Sequence, residues 1–188
     1  MTRIAHPPSL QDILGGTAAA RHWLERLGVR DPARAAGDLR DLAGRGIDPD
    51  GLAGLLRQFG AVLPGCPDPG MALTNLERFA ATGPEAAARL AALANDARTT
   101  DVLVQLFSTS QYFSELIIRD PGMLDWLRRG AERRDRQTLI ADLWTELQAA
   151  SSDDERKLAI RRLRHREMLR IGYNDVIRGH PLELTTLD

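Results

Sequence analysis

The sequence predicts an all-α protein, an irregular bundle of about ten short to medium helices without a sheet. Leu and Ala together number 53 of the 188 residues, whereas Val and Ile number only 14. Unbranched side chains lose little rotamer freedom in a helix, and β-branched ones are typical of strands. Signals for helix starts recur along the chain, and no segment alternates apolar and polar residues as a half-buried strand does.

Acidic residues followed by Pro mark four helix starts, at residues 31, 48, 68 and 120. The acid can accept an unpaired backbone N–H, and Pro suits the first helical position. Ser152 and Glu155 have the spacing of a capping box. Glycines predict helix ends at residues 28, 44, 60, 83, 130 and 179. These signals predict helices near 17–27, 32–43, 49–59, 71–81, 84–95, 101–108, 111–119, 121–129, 136–150, 153–170 and 173–178.

A loop rich in Pro and Gly at residues 64–70 is the predicted internal boundary. Residues 1–66 then form a helical leader of unassigned role, and residues 71–188 form a second helical domain. Large apolar residues are densest in 109–127, which we expect to supply the principal core. Within it, Trp126 and Leu127 are expected to be buried with Phe113 and Ile117.

Composition excludes several broad functions. The 25 basic residues against 26 acidic ones leave a net charge of −1, so no overall field favours nucleic acid or anionic lipid. No apolar run is long enough for a membrane span and the first residues lack a signal peptide's apolar region, so we expect a cytoplasmic protein. The single cysteine, Cys66, cannot form an internal disulfide.

Motifs that would carry chemistry are absent from the sequence. The four His residues are scattered, and neither HExxH nor CxxC occurs. There is also no P-loop, no GxGxxG and no recognisable Ser–His–acid motif. We therefore predict no catalytic, cofactor-binding or metal-ligating residue in this chain.

The most distinctive local feature is a basic helix at 156–170, with seven Arg or Lys and one acid, Glu167. At 100° per residue, Glu167 lies on the apolar face with Ile160, within reach of Arg164 and Arg170. A buried carboxylate is costly without a partner, so we expect an ion pair with Arg170, with Arg164 or with an Arg of a neighbouring helix. Two interpretations remain open for the helix: a face that binds phosphate or acid, and a core helix with a solvated Arg edge.

Three segments together resemble the adenylyltransferases of glutamine synthetase. QLFSTSQYFSELIIRDPGMLDWL at 105–127 is similar to a helix pair of that family, and RRLRHREMLRIG at 161–172 is similar to its Arg-rich helix. LTNLERF at 73–79 resembles an element that precedes both. The resemblance covers about 71–188, where PLELTTL at 181–187 resembles the segment entering the first nucleotidyltransferase domain.

The resemblance implies an N-terminal fragment of a bifunctional enzyme. Such enzymes transfer AMP from ATP to a tyrosine of glutamine synthetase and remove it by phosphorolysis, with Mg²⁺, under control of glutamine and a PII-type signal protein. Their metal-binding acidic pair and Gly-rich turn are not in these 188 residues and are expected after Asp188. This chain would then be inactive alone and would dock the adjacent nucleotidyltransferase domain. Arg166, Glu167, Arg170 and Ile171 match the family's motif, and we assign them a structural role.

The alternative is a stand-alone helical interaction module or adaptor. A Gly-rich turn and an Asp-x-Asp pair encoded downstream of Asp188 would favour the enzyme, whereas a stop codon would favour the adaptor. A third interpretation, an RNA-binding domain that uses 156–170, lacks aromatic residues among the basic ones.

Overall fold

The computed structural model describes residues 7–130 and 135–178, apart from the side chains of 128–130 and 176–178. These residues form eleven α-helices and one 3₁₀ turn, Leu63–Gly65, and no strand occurs among them, which confirms the predicted fold class. The helices are α1 Leu10–Gly15, α2 Ala18–Arg26, α3 Pro32–Ala43, α4 Pro49–Val62, α5 Pro69–Ala81, α6 Ala86–Ala94, α7 Ala97–Thr109, α8 Gln111–Arg119, α9 Gly122–Gly130, α10 Arg136–Ala149 and α11 Asp153–Arg178.

Acidic caps explain where five of these helices begin. The carboxylates of Asp31, Asp48 and Asp68 accept the backbone N–H three residues further on, at 3.0, 2.9 and 2.9 Å. Asp96 and Asp135 do the same at the starts of α7 and α10. Since Asp96 caps α7, that helix begins four residues before its predicted start.

Three helix predictions are wrong in detail. The short helix α1 was missed, although Ser9 caps it and Ile13 is buried. Gly60 does not end α4 but is buried inside it. The two helices predicted on either side of Gly172 are one continuous helix, α11, in which Gly172 is buried. A glycine can therefore mark a buried helix position as well as a helix end.

The chain divides into two compact units, Met1–Arg119 and Asp120–Asp188. In the first unit α5 packs against both α3 and α7. The rings of Phe79 and Phe107 meet edge to face there, with centroids 5.9 Å apart. Because α3 and α5 pack together, the 64–70 loop lies inside this unit. The functional division into a leader at 1–66 and a domain at 71–188 stays a prediction.

In the second unit, α9 and α10 both pack against α11. Met123, Leu124 and Leu127 of α9 are buried. Trp126 is only half-buried, so the expectation that it is buried is wrong, whereas Leu127 is buried as expected. None of the side chains of α10 is buried.

We predict that Phe107→Ala lowers the free energy of unfolding by about 3–5 kcal/mol, because a fully buried ring leaves a cavity that the neighbours fill only in part. Chemical denaturation of the 188-residue chain measures this change. The control is Tyr112→Ala on an exposed ring, which should cost less than half as much. Equal losses in the two variants would contradict the packing described here.

Candidate functional site

The carboxylate of Glu167 pairs with Arg170 on the same helix, as predicted. Arg170 Nε donates to Glu167 Oε2 at 2.8 Å, and the two side chains are only 6% and 15% exposed, respectively. Ile160, predicted on the same apolar face, is exposed instead. The buried face of α11 runs through Ala159, Leu169 and Arg170, and this direction leaves Ile160 at its edge.

The other motif residues of α11 have different surroundings. Arg166 Nη1 donates to Glu146 Oε1 of α10 at 2.9 Å, and both side chains are 35% exposed. Ile171 is half-buried. The structure therefore links Glu167 to Arg170 within α11 and Arg166 to α10, but it does not gather the four residues into one cluster of mutual contacts.

The basic edge of α11 is largely solvated. Arg161, Arg162 and Arg164 are exposed. Arg156 and Lys157 pair with acids three residues earlier, at 2.9 and 3.2 Å. This arrangement favours the interpretation of a partly buried helix with a solvated Arg edge over that of a dedicated phosphate-binding face.

A second polar centre surrounds the buried amide of Asn75, which lies in α5 within the LTNLERF segment. Its Nδ2 lies within hydrogen-bond distance of the Phe107 carbonyl, Gln111 Oε1 and Ser114 Oγ, at 3.2, 3.1 and 3.1 Å. Its Oδ1 accepts from Arg78 Nη1 at 3.3 Å. Phe107 belongs to α7, whereas Gln111 and Ser114 belong to α8. The buried side chain of Asn75 therefore joins α5 to both helices.

Glu115 of α8 holds the outer part of the same network. Its Oε1 accepts from Arg78 Nη2 at 2.7 Å and from Gln111 Nε2 at 2.9 Å. The hydrogen bond from Arg78, and then that from Gln111, lower the pKa of Glu115 below its ordinary value. The carboxylate is therefore ionised at neutral pH, and Arg78 and Gln111 are each held by two partners.

Asn75, Arg78 and Gln111 form one wall of a cleft of about 580 Å³ within the first unit. Residues of α3 and α5, the residues that precede these two helices, and the first residue of α8 line it. Its charged or polar lining includes Arg30, Arg34, Asp38, Asn75, Arg78 and Gln111. A volume of this size is within the range of small-molecule sites in proteins, about 300–1,000 Å³.

Asp38 contributes a carboxylate to the cleft from α3. Its Oδ2 accepts from the Thr74 hydroxyl at 2.8 Å, a contact that ties α3 to α5. Burial raises the pKa of Asp38 above its ordinary value, and this effect outweighs the opposing effects of Thr74 and Arg34.

Sequence analysis did not identify this cleft. The available signal was the spacing of Arg30, Arg34 and Asp38, which places all three at four-residue intervals around a helix start. The spacing alone does not show that α5 and α8 complete the cavity, since those contacts join residues about 40 to 80 positions apart.

Other candidate chemistry in the described part of the chain is limited. No three His, Cys, Asp or Glu side chains within 7–130 and 135–178 are grouped so that they could hold a metal ion. Cys66 donates to the Val62 carbonyl at 3.4 Å, and burial raises the pKa of its thiol, which disfavours the reactive thiolate. The described helices include none with both the length and the apolar character needed to cross a bilayer.

The fold and these sites define an all-helical protein in which the polar contacts of Asn75, Asp38 and Arg166 join helices to one another. Residues 100–186 match the family model of glutamate-ammonia ligase adenylyltransferase. At the family level, the match indicates an adenylyltransferase that acts on glutamine synthetase. Searches of curated proteins and of solved structures found no match.

The match confirms the resemblance seen in the sequence and includes two of its three segments, 105–127 and 161–172. The third segment, 73–79, lies before the match, although Asn75 and Arg78 contact the matched region directly. Residues 181–187 lie outside the residues whose structure is described.

We predict that Glu167→Gln lowers the free energy of unfolding by about 3–5 kcal/mol, because it leaves the buried Arg170 guanidinium without its charged partner. Glu146→Gln is the matched control. It removes the same charge from a more exposed pair, which joins α10 to α11, and should cost at most about 1 kcal/mol. Thermal and urea unfolding measure both, and a Glu167→Gln loss no larger than the control's would show that the pair is not effectively buried.

We predict that Asn75→Ala destabilises the chain by about 2 kcal/mol, because buried groups of α7 and α8 lose their partner and Arg78 loses an acceptor. Asn95→Ala is the control, since Asn95 makes only an exposed local contact with the Ala91 carbonyl. Hydrogen exchange should show faster opening of α8 in the Asn75 variant alone. Unchanged exchange in α8 would argue against the joining role of Asn75.

Proposed function

We propose that this chain is a non-catalytic helical part of an enzyme that transfers AMP from ATP to a tyrosine of glutamine synthetase and removes it by phosphorolysis. Such an enzyme regulates nitrogen assimilation. The single observation that carries the proposal is the family match over residues 100–186. In this proposal, the chain docks the nucleotidyltransferase domain that follows it in the parent enzyme.

The geometry of the Arg-rich helix supports a structural role for the motif. Glu167 and Arg170 are turned toward each other and are largely buried, so neither is presented to a substrate. Arg166 is occupied by Glu146 of the neighbouring helix. These contacts brace α10 against α11 and leave the other surfaces of the two helices for docking.

Exposed apolar side chains in the second unit support docking. Trp144 and Ile140 lie one helical turn apart on α10 and are 62% and 55% exposed, and Ile160 of α11 is also exposed. Large apolar side chains on neighbouring turns are typical of surfaces that another domain covers. We propose that the adjacent nucleotidyltransferase domain covers Ile140 and Trp144.

The parent enzyme would supply the remaining components. We propose that its nucleotidyltransferase domains bind ATP and Mg²⁺ and that glutamine synthetase is its protein substrate. A PII-type signal protein would be its regulator, and the enzyme would work in the cytoplasm. The alternative is a stand-alone helical adaptor that uses the same exposed surface, and the reading frame downstream of residue 188 distinguishes the two.

We predict that the isolated chain releases no ADP when it is incubated with adenylylated glutamine synthetase, phosphate and Mg²⁺. Phosphoryl-type transfer depends on metal-held phosphates and in-line positioning, which we assign to the parent's other domains. Chromatographic measurement of ADP gives the result, and turnover above a protein-free blank would contradict a non-catalytic role.

The docking part of the proposal is tested in the parent enzyme. Trp144→Ser should lower its deadenylylation rate by about tenfold or more if the side chain is buried at a domain contact, whereas Arg161→Gln on the solvated edge should not. Equal rates for Trp144→Ser and the unmodified parent would exclude docking through α10.

A further inference from the structure

Two arginines that line the cleft of the first unit have no ion-pair partner among the described residues. Within the described residues, the guanidinium groups of Arg30 and Arg34 make no hydrogen bond and no ion pair. Both lie at the start of α3, on either side of its capping residue Asp31. Arg34 acts on Asp38 only through the longer-range effect of its charge.

The acids of the cleft are already engaged. Asp31 and Asp68 each accept a backbone N–H as helix caps, from Arg34 at 3.0 Å and from Met71 at 2.9 Å. Asp38 accepts the Thr74 hydroxyl. The donors that remain free in the cleft are therefore chiefly the two guanidinium groups, whose planar N–H forks fit carboxylate and phosphate oxygens.

The polar wall contributed by α5 and α8 is preorganised. Arg78 is held between Asn75 and Glu115, and Gln111 is held by the same two residues. Asn75 itself is only 1% exposed. A ligand would find these side chains in place and would not have to immobilise them, which lowers the entropic cost of binding.

We propose that this cleft is a binding site for a small molecule that carries an oxyanion, with Arg30 and Arg34 holding its carboxylate or phosphate group and Arg78 and Gln111 contacting its polar body. The volume of about 580 Å³ fits a small metabolite. Most of the lining residues precede the family match over 100–186, so the site goes beyond the function proposed above. Gln111 connects the site to α8, the last helix of the first unit.

The experiment uses the full 188-residue chain and observes the Arg Nε–H groups by two-dimensional NMR during titration. One arm adds inorganic phosphate and the other adds succinate, at constant ionic strength so that screening does not change. We expect saturable shifts of the Arg30 and Arg34 signals in at least one arm. A response to phosphate alone identifies a phosphoryl group as the ligand's anion, a response to succinate alone identifies a carboxylate, and both support the site.

The variant that tests the assignment is Arg30→Gln with Arg34→Gln. It should weaken binding by about tenfold or more, because two charge-assisted contacts are lost. The matched control, Arg161→Gln with Arg162→Gln, removes the same charge from equally exposed positions on α11 that do not line the cleft, and it should leave the dissociation constant unchanged. Circular dichroism checks folding, and if the double variant unfolds, Arg34→Gln alone carries the test.

Three results of the titrations with small anions would overturn the proposal. They are no saturable shift in either arm, equal weakening in the cleft and control variants, and binding that survives the loss of both cleft arginines. A tetraglutamate peptide is the final probe. Binding of that peptide without a response to either small anion would also overturn the proposal, since it would assign the cleft to an acidic protein segment.

Discussion

The arrangement of α5, α7 and α8 depends on the buried amide of Asn75. An amide in an apolar interior is costly unless its donors and acceptor are paired, and here it meets α7, α8 and Arg78. Apolar packing between α5 and α7, such as that of Phe79 with Phe107, supplies attraction with little directional preference. The amide adds the direction, because its hydrogen bonds form at only one relative position of the three helices.

The same constraint shapes the cleft. Asn75 and Glu115 hold Arg78 and Gln111 at the cavity wall, so the stability of the helix packing and the shape of the proposed ligand site have a common origin. A site supported in this way can be rigid although it lies between helices only 9 to 13 residues long. The guanidinium groups of Arg30, just before α3, and Arg34, in its first turn, provide positive charge and make no hydrogen bond or ion pair to other described residues.

In the second unit, the buried face of the Arg-rich helix α11 includes an ion pair. A helix with so many charges has a narrow apolar face, and burying Glu167 and Arg170 as a pair widens the part of α11 that can be covered. Arg166 adds a tie to α10, whose own side chains are all at least partly exposed. Trp144 and Ile140 therefore remain outside the core, where the proposed contact with another domain would cover them.

The sequence by itself determined the all-α class, most helix starts and the resemblance that the family match over residues 100–186 supports. These properties follow from local chemistry: Asp31, Asp48 and Asp68 cap the helices that they precede, and Glu167 finds its partner three residues away. Local signals do not decide every helix end. A glycine such as Gly60 or Gly172 is compatible both with the end of a helix and with close packing inside one, and both of these glycines lie inside helices.

Only the tertiary structure decided the partners of Asn75, the partial exposure of Trp126 and the cleft lined by Arg30 and Arg34. Each depends on the relative placement of helices that lie far apart in the chain. The helical periodicity of a sequence predicts which residues share a face. It does not predict which other helix covers that face, or whether the face stays open. The physical reason is that apolar burial favours many helix packings, and specific polar contacts select one of them.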